Sequence, residues 1–293
     1  MSDQIQAAAS AVRKPPLTLP LVRTAMGLLS RTAPRLASRV AMDLFMTPRR
    51  HTRPGREHEA LARATPFDVS LGDRMTIRAW RWGSGPAVLL VHGWEGRGAQ
   101  LAAFVDPLLE AGLSVVAFDA PGHGASTGSR SSLPHFAWGV RGVSDAIGGT
   151  RAIVGHSLGC AATTLALREG LTTERLVYIA PPLDPSDYVV RFGAMLGIST
   201  AVLEGMKQRI EERFLRKWSD YSQAATAPAV TTPLLIVHDR EDDDTPWTDG
   251  AALARLWPDA RLTTTTGLGH RRILRDPSVV AAATDFVAGP CNS

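Results

Sequence analysis

The sequence predicts an α/β protein built on a doubly wound, mostly parallel sheet of eight strands, with a small helical insert. Three observations carry that expectation. Short apolar runs of strand length alternate with helix-length segments along most of the 293 residues, the pattern of successive strand–helix–strand units. Several runs, such as 87–91, are apolar at every position, as a strand covered on both faces must be. One stretch, 183–227, breaks the rhythm with about 45 residues of helical pattern and no strand.

The elements are expected in this order. Residues 1–16 are rich in Ala, Gln and Ser and end in Pro15-Pro16, so they are expected to fray. Between 21 and 45 lie two amphipathic helical segments broken at Pro34. In the second, Leu36, Val40 and Leu44 recur every four residues, with Ala37, Ala41 and Phe45 beside them. A basic connector occupies 48–56. Strands are expected at 67–70 and 75–82, joined at Gly72-Asp73. Others are expected at 87–91, 114–118, 152–154, 176–179, 234–237 and, rich in Thr, 261–266. Helices are expected at 99–111, 134–147, 158–169, 248–256 and 278–287. The chain then divides into an N-terminal helical arm over 1–60, a core over 61–182 and 228–293, and a helical insert over 183–227.

With 44% hydrophobic and 20% charged residues the composition is that of a globular protein. A chain of this length buries roughly 75% of its unfolded surface, so it needs no disulfide or metal to fold. Cys160 and Cys291 are too few for a disulfide framework or a Cys-based zinc site. Cys160 lies in a small-residue apolar run and reads as a buried, inert thiol. Ten basic and four acidic residues fall within 1–60, against 22 and 24 in the remainder. The basic excess therefore belongs to the arm, and with no basic-aromatic motif elsewhere no nucleic-acid partner is expected. No stretch approaches the roughly 20 apolar residues that span a bilayer. The best candidate, 17–29, is interrupted by Pro20 and Arg23. Arg13 and Lys14 mimic the start of a secretory signal, but the residues after them break the pattern. A soluble, cytoplasmic protein is the expectation.

The strongest chemical signal is Gly155-His156-Ser157-Leu158-Gly159, set between the strand 152–154 and the helix opening at 158. A serine on a tight strand–turn–helix needs strained backbone angles and close neighbours, hence glycine two residues to either side. The succeeding helix also lends its N-terminal partial charge to a developing anion. A plain glycine-flanked turn would carry the same five letters. The strand, the helix and the small residues Cys160, Ala161 and Ala162 favour a nucleophile.

Two further motifs end the neighbouring strands: Val91-His92-Gly93-Trp94, and Asp119-Ala120-Pro121-Gly122-His123-Gly124-Ala125-Ser126. With these motifs in this order, the chain resembles serine hydrolases of the α/β-hydrolase fold over about residues 66–288. Residues 1–60 lie outside the resemblance. It implies no cofactor, a cap at the position of the 183–227 insert, and a triad that runs Ser, acid, His along the chain. That order sets aside His51, His58, His92, His123 and His135. His156 lies inside the turn and should pack beside the sheet, while His238 precedes the acidic cluster. His270, in Gly267-Leu268-Gly269-His270, stands where the family has its base.

Residues 238–246 offer five carboxylates. The family's strand-His-Gly-x-x-Asp-x-x-x-Pro register selects Asp242 as the acid that orients His270. Asp239 stands where glycine is usual, which leaves it a competitor with Asp243 behind it. Gly93 permits a turn in which the Trp94 amide faces a developing oxyanion beside the Leu158 amide. His92 and Asp119 read as loop braces. No H-E-x-x-H or comparable spacing occurs, so no metal is expected.

The leading reading is hydrolysis of a small-molecule carboxylic ester or thioester through an acyl-enzyme on Ser157. Serine rather than aspartate at this turn argues against haloalkane dehalogenase and epoxide hydrolase chemistry. A serine aminopeptidase or amidase would want carboxylates facing the pocket. Glu204, Glu211 and Glu212 are instead interleaved with Arg209, Arg213 and Arg216, like a solvated helix face. A non-enzymatic binding protein of the same fold would usually lack a member of the triad. The insert's apolar residues (Tyr188, Phe192, Met195, Leu196, Ile198, Leu203, Met206, Phe214, Trp218) suit either an acyl pocket or the insert's own packing core. The basic arm suits peripheral contact with an anionic membrane, or docking of its leucine stripe on the body or on a second subunit of a homodimer. Docking is the expectation, because Phe45 alone supplies an aromatic to the apolar face.

Overall fold

A computed structural model of the chain describes residues 19–72 and 75–289. The expected fraying of 1–16, the pair Arg13 and Lys14, Asp73 of the first turn and Cys291 lie outside the described residues. The chain opens with three helices, α1 (Leu19–Thr32), α2 (Pro34–Phe45) and α3 (Gly55–Ala62). Strands β1 (Thr65–Ser70), β2 (Thr76–Trp82) and β3 (Ala87–Val91) come next, then α4 (Val105–Glu110) and β4 (Ser114–Phe118). After them stand α5 (Leu133–Ala146), β5 (Thr150–His156), α6 (Leu158–Arg168) and β6 (Thr173–Ile179). The insert holds α7 (Ser186–Leu196), α8 (Thr200–Phe214) and the single turn α9 (Gln223–Thr226). The chain closes through β7 (Leu234–Asp239), α10 (Trp247–Leu256), β8 (Ala260–Thr265), α11 (Gly269–Arg272) and α12 (Pro277–Ala288).

The eight strands form one sheet in the order β1-β2-β4-β3-β5-β6-β7-β8. The pairs β1·β2 and β2·β4 are antiparallel, and all others are parallel. Side chains alternate across the sheet as strand geometry requires. Leu89 and Val91 of β3 pack with Phe136 and Val140 of α5 and Ala161 and Leu165 of α6. Val88 and Leu90 point the other way, to Phe104, Leu108 of α4 and Val280 and Ala283 of α12. Two continuous cores result, and all the parallel strands aim their C-terminal ends at one edge.

One expected helix differs. Residues 99–111 begin as a tighter 3-10 segment, Gly98–Phe104, and the α-helix starts only at Val105. Pro107 explains the restart, because proline lacks the N–H that a helix interior needs and fits only the first turn.

The N-terminal helices dock on the insert. Met26 of α1 and Ala37 and Ala41 of α2 are buried against Val189 of α7 and Val202, Met206 and Ile210 of α8. The docking face is shifted from the expected stripe, of which only Val40 packs against the insert. Leu36 and Leu44 remain 51% and 43% exposed, while Ala37, Ser38 and Ala41 are buried. The reason is steric. A β carbon on Gly205 of α8 would lie 2.6 Å from Ser38 Oγ, so small residues on both helices let the axes approach. Leucines would hold them apart. Arg23 Nη1 adds hydrogen bonds to Ala194 O and Met195 O at 2.7 and 3.1 Å, near the end of α7. No helix among the described residues is long and apolar enough to cross a membrane.

This geometry ranks two substitutions. Ala41→Glu buries a charge at the α2–α8 contact and should lower stability by about 2 kcal/mol or more. Leu36→Glu, on the open side, should change it by no more than about 0.5 kcal/mol. Equilibrium urea denaturation measures both, and the opposite ranking would restore the leucine stripe as the docking face.

Candidate active site

Ser157 sits between β5 and α6 with φ 52° and ψ −121°, a left-handed conformation that a residue with a side chain holds only when its surroundings force it. They do so here. The Ser157 N–H donates to Ile179 O on β6 at 2.9 Å, and the Cys160 N–H donates to Ser157 O at 2.9 Å. The start of α6 is pressed against the end of β3. A β carbon on Gly159 would lie 2.5 Å from Val91 O and 2.7 Å from His92 O. On the other side, a β carbon on Gly93 would lie 3.0 Å from Ser157 Cβ. Cys160 is fully buried under this turn, with Sγ 3.6 Å from Ile179 O, and burial pushes its thiol pKa well up.

His270 opens α11 after β8, and its Nδ1 donates to Asp242 Oδ2 at 2.8 Å. Oδ1 of Asp242 accepts from the Thr245 and Asp244 amides at 2.8 and 2.9 Å. On the other flank His238 Nε2 lies 3.6 Å from Oδ2 and bonds to Thr245 O at 3.0 Å. Burial alone would raise the Asp242 pKa. The two imidazoles and the Thr245 amide overcome it and pull the carboxyl well below its ordinary range. Asp239 takes a different part. Its Oδ2 accepts from Thr265 Oγ1 at 2.7 Å and the Leu268 amide at 3.1 Å, and Oδ1 accepts from the Glu241 amide at 3.0 Å. It braces the loop that carries His270, while Asp242 touches the imidazole. Asp243 is exposed.

Leu158 follows Ser157 directly, and Trp94 follows Gly93, whose added β carbon would lie 3.0 Å from Ser157 Cβ. Leu158 is the first residue of α6, where an N–H has no intrahelical acceptor. Neither amide donates to a protein acceptor among the described residues. The turn bearing Trp94 is held by His92 Nδ1 on Gly93 O at 2.7 Å and by the Gly96 N–H on the same oxygen at 3.0 Å. His92 Nε2 in turn accepts the Ala120 N–H at 2.9 Å. Asp119 accepts from the Gly98 and Ala125 amides at 2.9 and 2.7 Å.

The model of the Alpha/beta hydrolase family matches residues 88–283. The chain belongs to that family. No curated protein matches the sequence. The fold is similar to that of an esterase from Exiguobacterium antarcticum, at 16% identity and a TM-score of 0.61, over 77% of this chain and 100% of that one. An esterase from Pyrococcus furiosus gives 15% identity and a TM-score of 0.62, over 82% and 98%. A bromoperoxidase from Bacillus anthracis gives 15% and 0.59, over 76% and 99%. Likeness at this level fixes the fold and leaves the reaction to the site.

Within the hydrolase, one residue near the serine carries no sequence signal of its role. Tyr188 of α7 places its hydroxyl against the Ser157 side chain and bonds to Thr245 Oγ1 at 2.7 Å. Burial pushes the phenol pKa up. Among the insert's other apolar residues, Phe192, Ile198, Leu203, Met206, Phe214 and Trp218 pack in the cluster shared with α1 and α2. In the sequence Tyr188 reads as one more member of that set, because a period of apolar residues does not mark which hydroxyl faces inward. Ser157 and His270 make no direct hydrogen bond. His156 stands beside both: its Nε2 donates to His270 O at 2.9 Å, and the two rings lie 4.6 Å apart.

Three buried histidines give the hydrolase a defined pH response. Burial lowers His92, His123 and His135 from 6.5 to about 4, about 3 and about 4. The unfolded chain therefore binds protons first as the pH falls. Stability from these groups is complete above pH 6.5 and is lost as the pH drops from there toward 4 for His92 and His135 and toward 3 for His123. The slope is at most about 1.4 kcal/mol per pH unit for each histidine. Denaturation midpoints should decline across that window and stay level from these groups between pH 7 and 8. A midpoint that holds or rises on acidification would mean these histidines are charged in the folded state.

Proposed function

We propose that this hydrolase cleaves a carboxylic ester or thioester through an acyl-enzyme on Ser157. The observation that carries the reading is the 2.8 Å bond from His270 Nδ1 to a buried, ionised Asp242, beside a serine held in strained backbone geometry. Because Nδ1 carries the proton bonded to Asp242, Nε2 of the neutral ring is free to act as the base. Ser157 Oγ attacks the substrate carbonyl while Nε2 takes its proton. The carbonyl oxygen becomes an oxyanion, stabilised by the Trp94 and Leu158 amides and the N-terminal end of α6. The tetrahedral intermediate collapses, the imidazolium gives its proton to the leaving alcohol or thiol, and the acyl group stays on Oγ. Water, deprotonated by the same Nε2, then releases the acid and regenerates the serine. The insert serves as the cap over this centre, with the Tyr188 hydroxyl as its contribution.

The esterases among the structural neighbours support this class of reaction. Amide cleavage with recognition of a free amine draws no support from the insert. Glu211 accepts the Trp218 amide at 2.6 Å, Glu204 pairs with Lys207 at 3.2 Å, and Glu212 accepts from Gln208 at 2.9 Å.

A panel of p-nitrophenyl esters of increasing acyl length, run against amino-acid anilides, tests the reaction class. Ester turnover should dominate, and an organophosphate should label Ser157. Ser157→Ala should lose labelling and lower kcat on the order of 10⁶-fold. Asp242→Asn should cost on the order of 10⁴-fold by leaving His270 in the wrong tautomer, far more than Asp239→Asn. Near wild-type turnover by folded Ser157→Ala would end the proposal.

A further inference from the structure

The four residues Gly93 to Gly96 form a turn closed by the Gly96 N–H on Gly93 O at 3.0 Å, with Trp94 and Glu95 at its centre. Glu95 has φ 55°. Turns with a positive φ at this position normally place Gly or Asn there, because a longer side chain makes the conformation unfavourable. A glutamate held in it needs an external restraint, and the restraint is visible. Glu95 Oε1 accepts from the Arg49 backbone N–H at 3.1 Å and from Arg49 Nε at 3.0 Å. His51 Nε2 lies 3.6 Å from Oε2. The Glu95 N–H donates to His123 Nε2 at 3.2 Å. The Arg49 hydrogen bonds and charge keep the carboxylate ionised against its partial burial.

The anchor is itself fixed. Arg50 donates to Ser126 O and Gly128 O at 3.1 and 2.7 Å, and Arg53 Nη2 pairs with Asp119 Oδ2 at 2.5 Å. These contacts hold the connector along the loops that leave β3 and β4. The connector lies outside the segment matched by the family, 88–283, so this restraint is a property of the chain's own N-terminal extension. An exposed arginine pair of this kind adds little to global stability. What it can fix is position: Glu95 and the Trp94 N–H belong to the same four-residue turn, in which the Gly93–Trp94 peptide carrying that N–H lies one residue before Glu95.

We propose that Glu95, clamped by Arg49 and His51 of the connector, is a positioning residue that holds the Trp94 amide in register with the oxyanion. The inference rests on the reading of Ser157 as an esterase nucleophile. A clamp of this type acts on the transition state, where the amide's aim matters, and leaves ground-state binding nearly alone.

The test uses the full chain, a p-nitrophenyl ester, and the rate at which diethyl p-nitrophenyl phosphate modifies Ser157. Glu95→Ala should lower kcat and the phosphorylation rate about tenfold to a hundredfold, with KM within about threefold of wild type. Arg49→Ala, which keeps the backbone donor, should lose less, about threefold to tenfold. Glu95→Gly should fall between wild type and Glu95→Ala, because glycine adopts the left-handed turn without a clamp. Three results would overturn the proposal: wild-type kcat in folded Glu95→Ala, a loss confined to KM, or Glu95→Gly no better than Glu95→Ala. Should Glu95→Ala lose its circular dichroism spectrum, Arg49→Ala decides, and wild-type kcat there overturns the clamp. Ser157→Ala run in parallel separates the two readings. If it retains turnover the esterase reading fails, whereas if it is inactive and Glu95→Ala is not impaired, only the clamp fails.

Discussion

The arrangement at the C-terminal edge of the sheet depends on one close approach, that of the first turn of α6 to the end of β3. Ser157 adopts φ 52° and ψ −121°, and nothing in an isolated chain would keep it there. Parallel pairing sets Val91 of β3 against Gly155 of β5, and His156 of β5 against Ile179 of β6. The turn is thereby clasped between two strands, with its N–H tied to Ile179 O. Gly159 lets α6 start against the Val91 and His92 carbonyls, and Gly93 lets the neighbouring turn close on the Ser157 β carbon. The serine turn and the turn bearing Trp94 are therefore one steric unit. A side chain added at either glycine would move both.

Electrostatics completes what sterics begins. The side chain of Asp242 is out of contact with solvent, and desolvation by itself would favour its neutral form. Two amide donors and two flanking imidazoles reverse that preference. The resulting buried negative charge is what keeps the proton of His270 on Nδ1. Asp239, three residues earlier, spends its oxygens on Thr265, Leu268 and Glu241. It holds the loop so that the imidazole arrives at Asp242. Two acids on one loop thus divide orientation of the ring from orientation of the backbone beneath it.

Local features are the legible ones. The Gly155-to-Gly159 turn can be read because a strained strand–turn–helix must carry its glycines at fixed offsets, whatever surrounds it. The inner strands are readable because burial on both faces leaves runs such as 87–91 uniformly apolar, whereas β1 and β8, largely exposed, are read from β-branched and aromatic residues between turns. Asp242 is reached only through family spacing, since five carboxylates within nine residues are indistinguishable by composition. The face of α2 is misread for a physical reason. Periodicity ranks residues by size and apolarity, so Leu36, Val40 and Leu44 stand out, whereas a tight helix contact selects Ala37, Ser38 and Ala41. The partners of Arg49, Arg50 and Arg53 lie 46 to 78 residues away, and no local pattern in a basic connector announces a carboxylate so distant.

These distant contacts change how the N-terminal extension relates to the edge that carries Ser157. Through Arg23, α1 holds the carbonyls of Ala194 and Met195 at the end of α7. The same helix α7 bonds to the acid-bearing loop through Tyr188 on Thr245 and Arg191 on Asp244 O. Farther along the extension, the connector grips Glu95 and Asp119 on the opposite side. One continuous segment outside the matched family region therefore reaches both flanks of Ser157, by way of the insert on one side and directly on the other. An insert fastened in this way cannot move independently of α1 and α2 without breaking these contacts. For Tyr188 to leave Ser157, either the α7 contacts with Thr245 and Asp244 must break locally, or α1, α2 and the insert must move as one body. The first route breaks two hydrogen bonds of 2.7 Å each. The second must hinge in the connector, where Arg50 and Arg53 are tied to the loop after β4. Local rearrangement around Tyr188 asks for fewer broken contacts, and it leaves the Arg49–Glu95 hydrogen bonds intact.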